Sequence, residues 1–348
     1  MNVIFRVDAS IEIGSGHLMR CLTLAERLRI DGYEIAFICT DLQGAMFEFL
    51  ESKKIKFEKI SSIVNSSQEA DASMTIEVAN KIFPDGFNWV VVDHYRLDSK
   101  WENILSKKCD RIMVIDDIAN RFHNCDILVD QNYEDASRYS NLVNKKSILL
   151  LGPNYALLNP KYAQYRRLRQ QEYNPTVIRK VLVFFGGSDP ADLTGKALEA
   201  LTFPKLNEFD IDIVVGNNYP NYNKLKCSAN IRGRTKIYKL RKDLADLMAN
   251  ADIAIGGGGV TNWERMCMGL SSIVITLAEN QVQICKILSC KGAIRLLGCS
   301  KTVSTQDIYK AFLEEMDPNI IQNRASIAKD LCDGMGLDRV VNEMRLIQ

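Results

Sequence analysis

The chemistry open to this chain begins with His17. It ends the run Arg6-Val7-Asp8-Ala9-Ser10-Ile11-Glu12-Ile13-Gly14-Ser15-Gly16-His17, in which an apolar stretch gives way to a glycine turn and then to a helical pattern. An imidazole at a helix amino terminus feels the partial positive charge of the unpaired N–H groups. That field disfavours imidazolium and leaves a neutral ring able to take a proton. Gly14 and Gly16 permit tight backbone conformations and the close approach of a ligand. Two nucleotide motifs are excluded: the dinucleotide fingerprint needs a third glycine where Met19 stands, and no Lys-Ser or Lys-Thr follows for a phosphate-cradling loop. By spacing alone His17 is a candidate general base, with a capping or packing role as the alternative.

A second group closes the apolar run Val90-Val91-Val92-Asp93-His94-Tyr95. Polar groups directly after a buried parallel strand face the ligand side of a sheet, which makes Tyr95, and with it Asp93, candidates. The alternative has Asp93 capping a turn and His94 serving structure. Asp116-Asp117 ends the next apolar run with no third ligand at a telling spacing, so no metal is expected.

Two glycine turns follow. In Phe184-Phe185-Gly186-Gly187-Ser188-Asp189, backbone N–H groups and Ser188 suit a diphosphate, against a plain turn with Ser or Asp as helix cap. In Ala254-Ile255-Gly256-Gly257-Gly258-Gly259-Val260-Thr261-Asn262-Trp263-Glu264, four glycines weaken any regular element, and anion binding at the next helix start supplies a reason for them. Glu264 can accept from a ribose diol, and the amides of Asn280 and Gln281 can read a pyrimidine or an acetamido group. Together these features predict a nucleotide-diphosphate site. Arg6, Arg20 and the arginines of 166–169 are available to add charge, although solvated faces are their ordinary use.

The elements that must position these groups alternate between short β-rich runs and amphipathic helical stretches, the pattern of parallel sheets covered by helices. Strands are expected at 2–7, 34–39, 89–93, 112–116 and 127–129, with helices at 17–31, 43–52, 68–83 and 98–107, giving a first domain over 1–155. Pro153, Pro160 and Pro175 around an Arg-rich stretch predict a linker over 156–176. Strands at 180–185, 211–215, 235–238, 252–255, 273–276 and 294–296 define a second domain over 177–348, whose last helices are expected to pack back toward the first. The fold class is α/β, with two Rossmann-like doubly wound domains facing a cleft.

Bulk properties agree. A chain of 348 residues, 47% of them apolar, can bury two cores. Forty-four basic against forty-three acidic side chains give a net charge of +1, so neither nucleic acid nor an anionic membrane is an expected partner. No apolar run reaches the roughly 18 residues of a membrane span, and the amino terminus lacks a secretory pattern, which predicts a cytoplasmic protein. Ten cysteines without a Cys-x-x-Cys pair read as reduced, small hydrophobes.

Phe5-Arg6-Val7-Asp8 through Gly16-His17-Leu18-Met19-Arg20 resembles the amino terminus of the UDP-2,4-diacetamido-2,4,6-trideoxy-β-L-altropyranose hydrolases of pseudaminic-acid synthesis, a family related in fold to GT-B glycosyltransferases. Further matches follow in order: the segments from Val90, from Val114 (VIDDIANRFHNCDILVDQN), from Leu151 (LGPNYALL), from Phe184 and from Ala254, and then Ile275-Thr276-Leu277-Ala278-Glu279-Asn280-Gln281, spanning about residues 1 to 285. The resemblance implies His17 as the base that activates water and Tyr95 as an assistant at the reacting sugar. It also implies Ser188, Gly258, Gly259, Glu264, Asn280 and Gln281 around UDP and sugar. No cofactor is implied, and the small-molecule partner is a UDP-sugar. The chain departs from the family pattern twice. Asn159 stands where an arginine follows Tyr155-Ala156-Leu157-Leu158, which puts any substrate contact through that arginine in question, and Val7 replaces an alanine in packing. The rival readings are a GT-B glycosyltransferase, whose histidine would deprotonate an acceptor hydroxyl, and a non-catalytic UDP-sugar-binding protein. The first lacks an Arg/Lys-rich amphipathic patch for a membrane-bound acceptor. The second leaves the glycine-positioned histidine without a purpose.

Overall fold

In the computed structural model, residues 1–11, 13–61, 67–132, 135–172, 178–217, 219–239, 241 and 243–347 are described. Chain contacts divide it into two units, Met1–Leu158 with Met335–Gln348, and Asn159–Gly334.

The first unit is built on alternation. β1 (Asn2–Val7) turns Val3, Phe5 and Val7 to one face and Ile4 to the other. α1 (Gly16–Ile30) leads to β2 (Glu34–Thr40), and α2 (Phe47–Ser52) to β3 (Lys56–Ile60). α3 (Gln68–Ile82) precedes β4 (Trp89–Asp93), which is buried from end to end. α4 (Ser99–Leu105), β5 (Arg111–Ile115), β6 (Ile127–Asp130) and β7 (Ile148–Leu151) complete a seven-stranded sheet of order β3-β2-β1-β4-β5-β6-β7. Its recorded pairings are all parallel, as expected where helices supply the crossovers. One face packs on α1 through Leu18, Cys21, Leu22 and Ala25, and the other on α3 and α4 through Ala72, Ala79 and Trp101.

The second unit opens with α5 (Pro160–Glu172) and β8 (Lys180–Phe184), followed by α6 (Leu193–Ala200), β9 (Asp210–Val215), α7 (Tyr222–Arg232), β10 (Thr235–Lys239) and α8 (Ala245–Asn250). Then come β11 (Ile253–Gly257), α9 (Thr261–Cys267), β12 (Ser271–Thr276), α10 (Val282–Cys290), β13 (Arg295–Cys299), α11 (Thr305–Glu315) and α12 (Pro318–Leu331). The parallel sheet runs β10-β9-β8-β11-β12-β13. Val181, Val183, Ile211, Ile213, Ile253, Ile255, Ile273 and Ile275 face the core shared with α6 and α11. α8, α9 and α12 contact strands of this sheet, and α5 packs on α8 and α9. The last helix, α13 (Gly336–Leu346), belongs to the first unit and buries Leu337, Val340, Val341 and Met344 against α1.

Three features differ from the sequence expectation. Residues 156–176 were expected as a linker, but 160–172 form α5. Pro160 stands at its first residue, where a missing N–H costs nothing, and so starts the helix instead of breaking it. β3 and β7 were not expected. Lys56-Phe57-Glu58-Lys59-Ile60 is a charged edge strand, and Ile148-Leu149-Leu150-Leu151 is a short one at the opposite edge, so neither carries a clear alternating signal.

Candidate active site

In the first unit's sheet the connections run from β1 outward to β3, and the chain then returns to add β4 on the other side of β1. The carboxyl ends of strands at such a switch point are where α/β sheets take ligands. The loop before His17 leaves β1 and Tyr95 follows β4, so both fall at this point.

Asp93 ends β4 on the face of Trp89 and Val91, the side covered by α1, and its carboxylate therefore meets the first turn of that helix. His17 Nδ1 lies 2.6 Å from Asp93 Oδ1. Arg20 Nε donates to Asp93 Oδ2 at 2.6 Å and its Nη2 to Oδ1 at 2.7 Å. Burial alone would raise the Asp93 carboxyl, but the charges of Arg20 and His17 and their hydrogen bonds hold it well below the usual carboxylate range. An ionised carboxylate only accepts. The contact therefore keeps a proton on Nδ1, so Nε2 is the nitrogen whose lone pair becomes available when the ring gives up its other proton. In that tautomer Arg20 Nη2, 3.0 Å from Nδ1, is a donor facing a donor, so it serves Asp93 and not the ring.

Tyr95 meets the His17 ring edge to face, with centroids 4.7 Å apart at 89°. Its hydroxyl donates to Asp117, which also accepts from Arg20 Nη1 at 3.1 Å. Burial and then the Asp117 charge push the Tyr95 phenol far up, so it stays a neutral donor. His17, Asp93, Arg20, Asp117 and Tyr95 thus form one connected chain of contacts. His17, Asp93 and Tyr95 line a cavity of about 600 Å³ together with Ile11, Ile13 and Leu42, a volume suited to a small molecule. Gly14 shapes the entering loop with φ +80° and donates to Ser10 O at 2.9 Å, and neither it nor Gly16 lines the cavity.

The other histidines are committed. His94 Nε2 donates to Asp8 at 3.1 Å while its Nδ1 accepts from Arg96 N–H, and burial lowers its pKa. His123 Nδ1 lies 2.6 Å from the buried Glu102 carboxylate. Asp116 pairs with Arg121 at 3.0 Å and accepts from Ala119 N–H, so the adjacent carboxylates Asp116 and Asp117 each answer an arginine. Among the described residues no group of three or more His, Cys, Asp or Glu is placed to hold a metal.

The second unit's switch point lies between β8 and β11. Ser188 follows β8, Gly258 and Gly259 follow β11, and Asn280 and Gln281 follow β12, so three neighbouring strands present them along one carboxyl edge. Gly186 needs its φ of +91°, and a Cβ on Gly186 or Gly187 would meet nothing within 4 Å, which leaves that backbone open. Packing explains part of the four-glycine run. A Cβ on Gly256 would stand 2.5 Å from Phe184 O, one on Gly257 2.9 Å from Leu277 Cδ1, and one on Gly258 2.6 Å from Cys285 Sγ. Only at Gly259 is the nearest atom, Gln281 Nε2 at 3.4 Å, an ordinary contact. Backbone and buried neighbours thus account for Gly256 and Gly258, whereas at Gly257 the near atom is the tip of the exposed Leu277 side chain, which can turn aside. Gln281 Oε1 accepts from Leu277 N–H at 2.9 Å, and Asn280 is exposed. Asp189 accepts from Leu193 and Thr194 N–H at the head of α6, while Ser188 stays half-buried at the turn. Glu264 receives the Tyr162 hydroxyl, and burial pushes its carboxyl up to about 7.

Of the arginines available to add charge, Arg6, Arg166 and Arg169 are spent on structure, while Arg167 is exposed. Arg6 is buried between Asp8 and Asp71. Arg166 donates to the carbonyls of Cys267, Lys329 and Cys332, and Arg169 to those of Met248, Ala249 and Ala251. Asn159 accepts from Lys161 N–H at the start of α5. Arg20 as the partner of Asp93 was not read from the sequence, although its i, i+3 spacing from His17 places both on one helix face and was the available signal.

Two parallel α/β units, each with its candidate residues at the carboxyl edge beside the switch point, define a protein of the GT-B type. The whole chain superposes on MurG of Acinetobacter baumannii with a TM-score of 0.68 at 14% identity, covering 99% of both chains. Residues 181–296 match the glycosyltransferase family 28 C-terminal domain. The chain is 26% identical over 84% of its length to the UDP-2,4-diacetamido-2,4,6-trideoxy-β-L-altropyranose hydrolase of Campylobacter jejuni, spanning 97% of that protein. It is also 26% identical over 81% of its length to an uncharacterized protein of Methanocaldococcus jannaschii, and spans only 57% of that relative's length. The resemblance read from the motifs is borne out, and the chain is related to proteins of nucleotide-sugar metabolism. Among the described residues no helix is long and apolar enough to cross a membrane.

Proposed function

We propose that the chain hydrolyses UDP-2,4-diacetamido-2,4,6-trideoxy-β-L-altropyranose to UDP and 2,4-diacetamido-2,4,6-trideoxy-L-altrose. The observation that carries this is the 2.6 Å contact fixing His17 Nδ1 on an ionised, buried Asp93, which leaves Nε2 as the basic atom of a residue lining the cavity. The likeness to the Campylobacter hydrolase supplies the substrate.

In this reading Nε2 takes a proton from water as the water oxygen attacks the anomeric carbon. The bond from that carbon to the diphosphate oxygen breaks, its electron pair leaves with UDP, and the configuration inverts. Asp93 stabilises the imidazolium that forms. UDP is a good leaving group, so neutral donors suffice: the open backbone of Gly186, Gly187 and Gly259 with Ser188 for the diphosphate, and Gly258 beside them. Glu264 takes the ribose, Asn280 and Gln281 the base or an acetamido group, and Tyr95 the reacting sugar, while Gly14 and Gly16 shape the loop that presents His17. No cofactor enters.

The test is incubation with the UDP-sugar alone in ¹⁸O-water. Release of UDP with label in the free sugar, without an acceptor, is expected. His17→Asn should lower turnover by about 10²–10⁴. Turnover within about tenfold of the parent would remove His17 from the role of base. Strict dependence on an acceptor hydroxyl would indicate a glycosyltransferase, and UDP binding without turnover a binding protein.

A further inference from the structure

Arg265 on α9 is buried, at 2% exposure, beside the turn that ends β11. Its Nη2 donates to Gly257 O at 2.7 Å and to Asn262 Oδ1, its Nη1 to Thr261 Oγ1 at 3.3 Å, and its Nε has no partner. Asn262 in turn donates from Nδ2 to Gly258 O at 3.1 Å. The guanidinium lies so close to the strand that a Cβ on Gly256 would stand 2.7 Å from Nη1. The glycine at 256 and the arginine at 265 are thus one arrangement.

The other buried arginines have their charge answered. Arg6 and Arg20 face carboxylates. Arg169 and Arg232, like the half-buried Arg166, gather carbonyls, among them those at or just beyond the carboxyl ends of α8, α6 and α12, where helix dipoles present negative charge. Arg265 has neither. Its acceptors are a strand-end carbonyl, an amide and a hydroxyl, and among the described residues no carboxylate is recorded in an ion pair with it. Glu264, next in the chain, lends it some negative charge, but burial pushes that carboxyl up to about 7 and it is bonded to Tyr162, so it answers the arginine only in part. A buried cation whose counter-charge is only partly supplied is costly to keep, and an anion arriving nearby relieves that cost.

The geometry points to Arg265 as a positioning residue for an anionic ligand of the second unit: it pins the Gly257 carbonyl and, through Asn262, that of Gly258, and its charge finds its counter-ion in the ligand's diphosphate. This rests on the UDP reading above. Because the guanidinium lies beneath the turn, it acts on the phosphates through the field and the turn's shape, not by direct contact.

The experiment measures dissociation constants of UDP, UMP and uridine by calorimetry on the full chain, for the parent, Arg265→Met and Arg265→Lys, with melting curves to confirm folding. Loss graded by phosphate number is expected. Arg265→Met should weaken UDP at least about tenfold while uridine stays within about threefold, and Arg265→Lys, which keeps the charge, should recover part of the loss. Equal loss for all three ligands would mark Arg265 as merely structural, and unchanged UDP affinity would also overturn the inference. If Arg265→Met does not fold, Arg265→Gln takes its place against Arg265→Lys. A parent protein that binds none of the three ligands would overturn the UDP reading itself. A parent that binds them alongside unaffected variants overturns only the role of Arg265.

Discussion

Asp93 determines which nitrogen of His17 is basic, and Arg20 keeps Asp93 ionised. Asp93→Asn preserves shape but no longer demands a proton on Nδ1. Its turnover should fall by about 10²–10⁴ with KM little changed, read from steady-state kinetics of UDP release. An unchanged rate would mean that the carboxylate only braces α1. His17 and Tyr95 were legible because a glycine turn and a strand end announce them. Arg20 and Asp117 were not recognised as their partners, because the Arg20 contacts with Asp93 and Asp117 span 73 and 97 residues of chain and exist only once the sheet is assembled. A second residue-scale consequence concerns pH. Burial raises the Glu264 carboxyl from 4.5 to about 7 in the folded chain, so the unfolded chain releases this proton first. The associated stability is complete below about pH 4.5 and is lost as pH rises through about 7. Glu264→Gln removes this dependence, so its melting temperature should gain on that of the parent between pH 5 and 8. A constant difference across that range would contradict the shift.

At the scale of elements, the two glycine turns look alike in sequence and differ in structure. Gly256 is walled in by Phe184 O and Arg265, whereas Gly187 is open. Gly256→Ala should cost about 1–3 kcal/mol in denaturant unfolding, as overpacked cores do. Gly187→Ala should change stability by less than about 0.5 kcal/mol yet weaken UDP binding, because the added methyl occupies open space beside exposed backbone N–H groups. Equal stability losses in both variants would contradict the distinction. The strand-turn-helix order was readable at each turn. What was not readable is why the glycines are there, since the neighbours that crowd them, Phe184 and Cys285, come from other strands and helices.

At the scale of the molecule, the chain returns at its end to the unit where it began. α13 buries Leu337, Val340, Val341 and Met344, none more than 2% exposed, in the first unit's core. At about 1.5–3 kcal/mol each, these side chains contribute roughly 6–12 kcal/mol, comparable to the whole stability of an ordinary domain. Deleting residues 335–348 should therefore abolish cooperative melting of the first unit while leaving that of the second. Two retained transitions in calorimetry would show α13 to be dispensable.

The α/β class, most of the strands and helices, and the candidacy of His17, Tyr95, Ser188 and Glu264 were determined by the sequence itself, because hydrophobic period and glycine turns are local properties of the chain. Tertiary structure decided the rest. Sheet order put His17, Tyr95, Ser188, Gly258 and Gly259 beside a switch point, Arg20 and Asp93 set the tautomer of His17, and the buried Arg265 was left with only a partial counter-charge from Glu264 beneath the second turn. Each of these depends on which distant groups share one desolvated space, since burial there decides whether a charge must be answered.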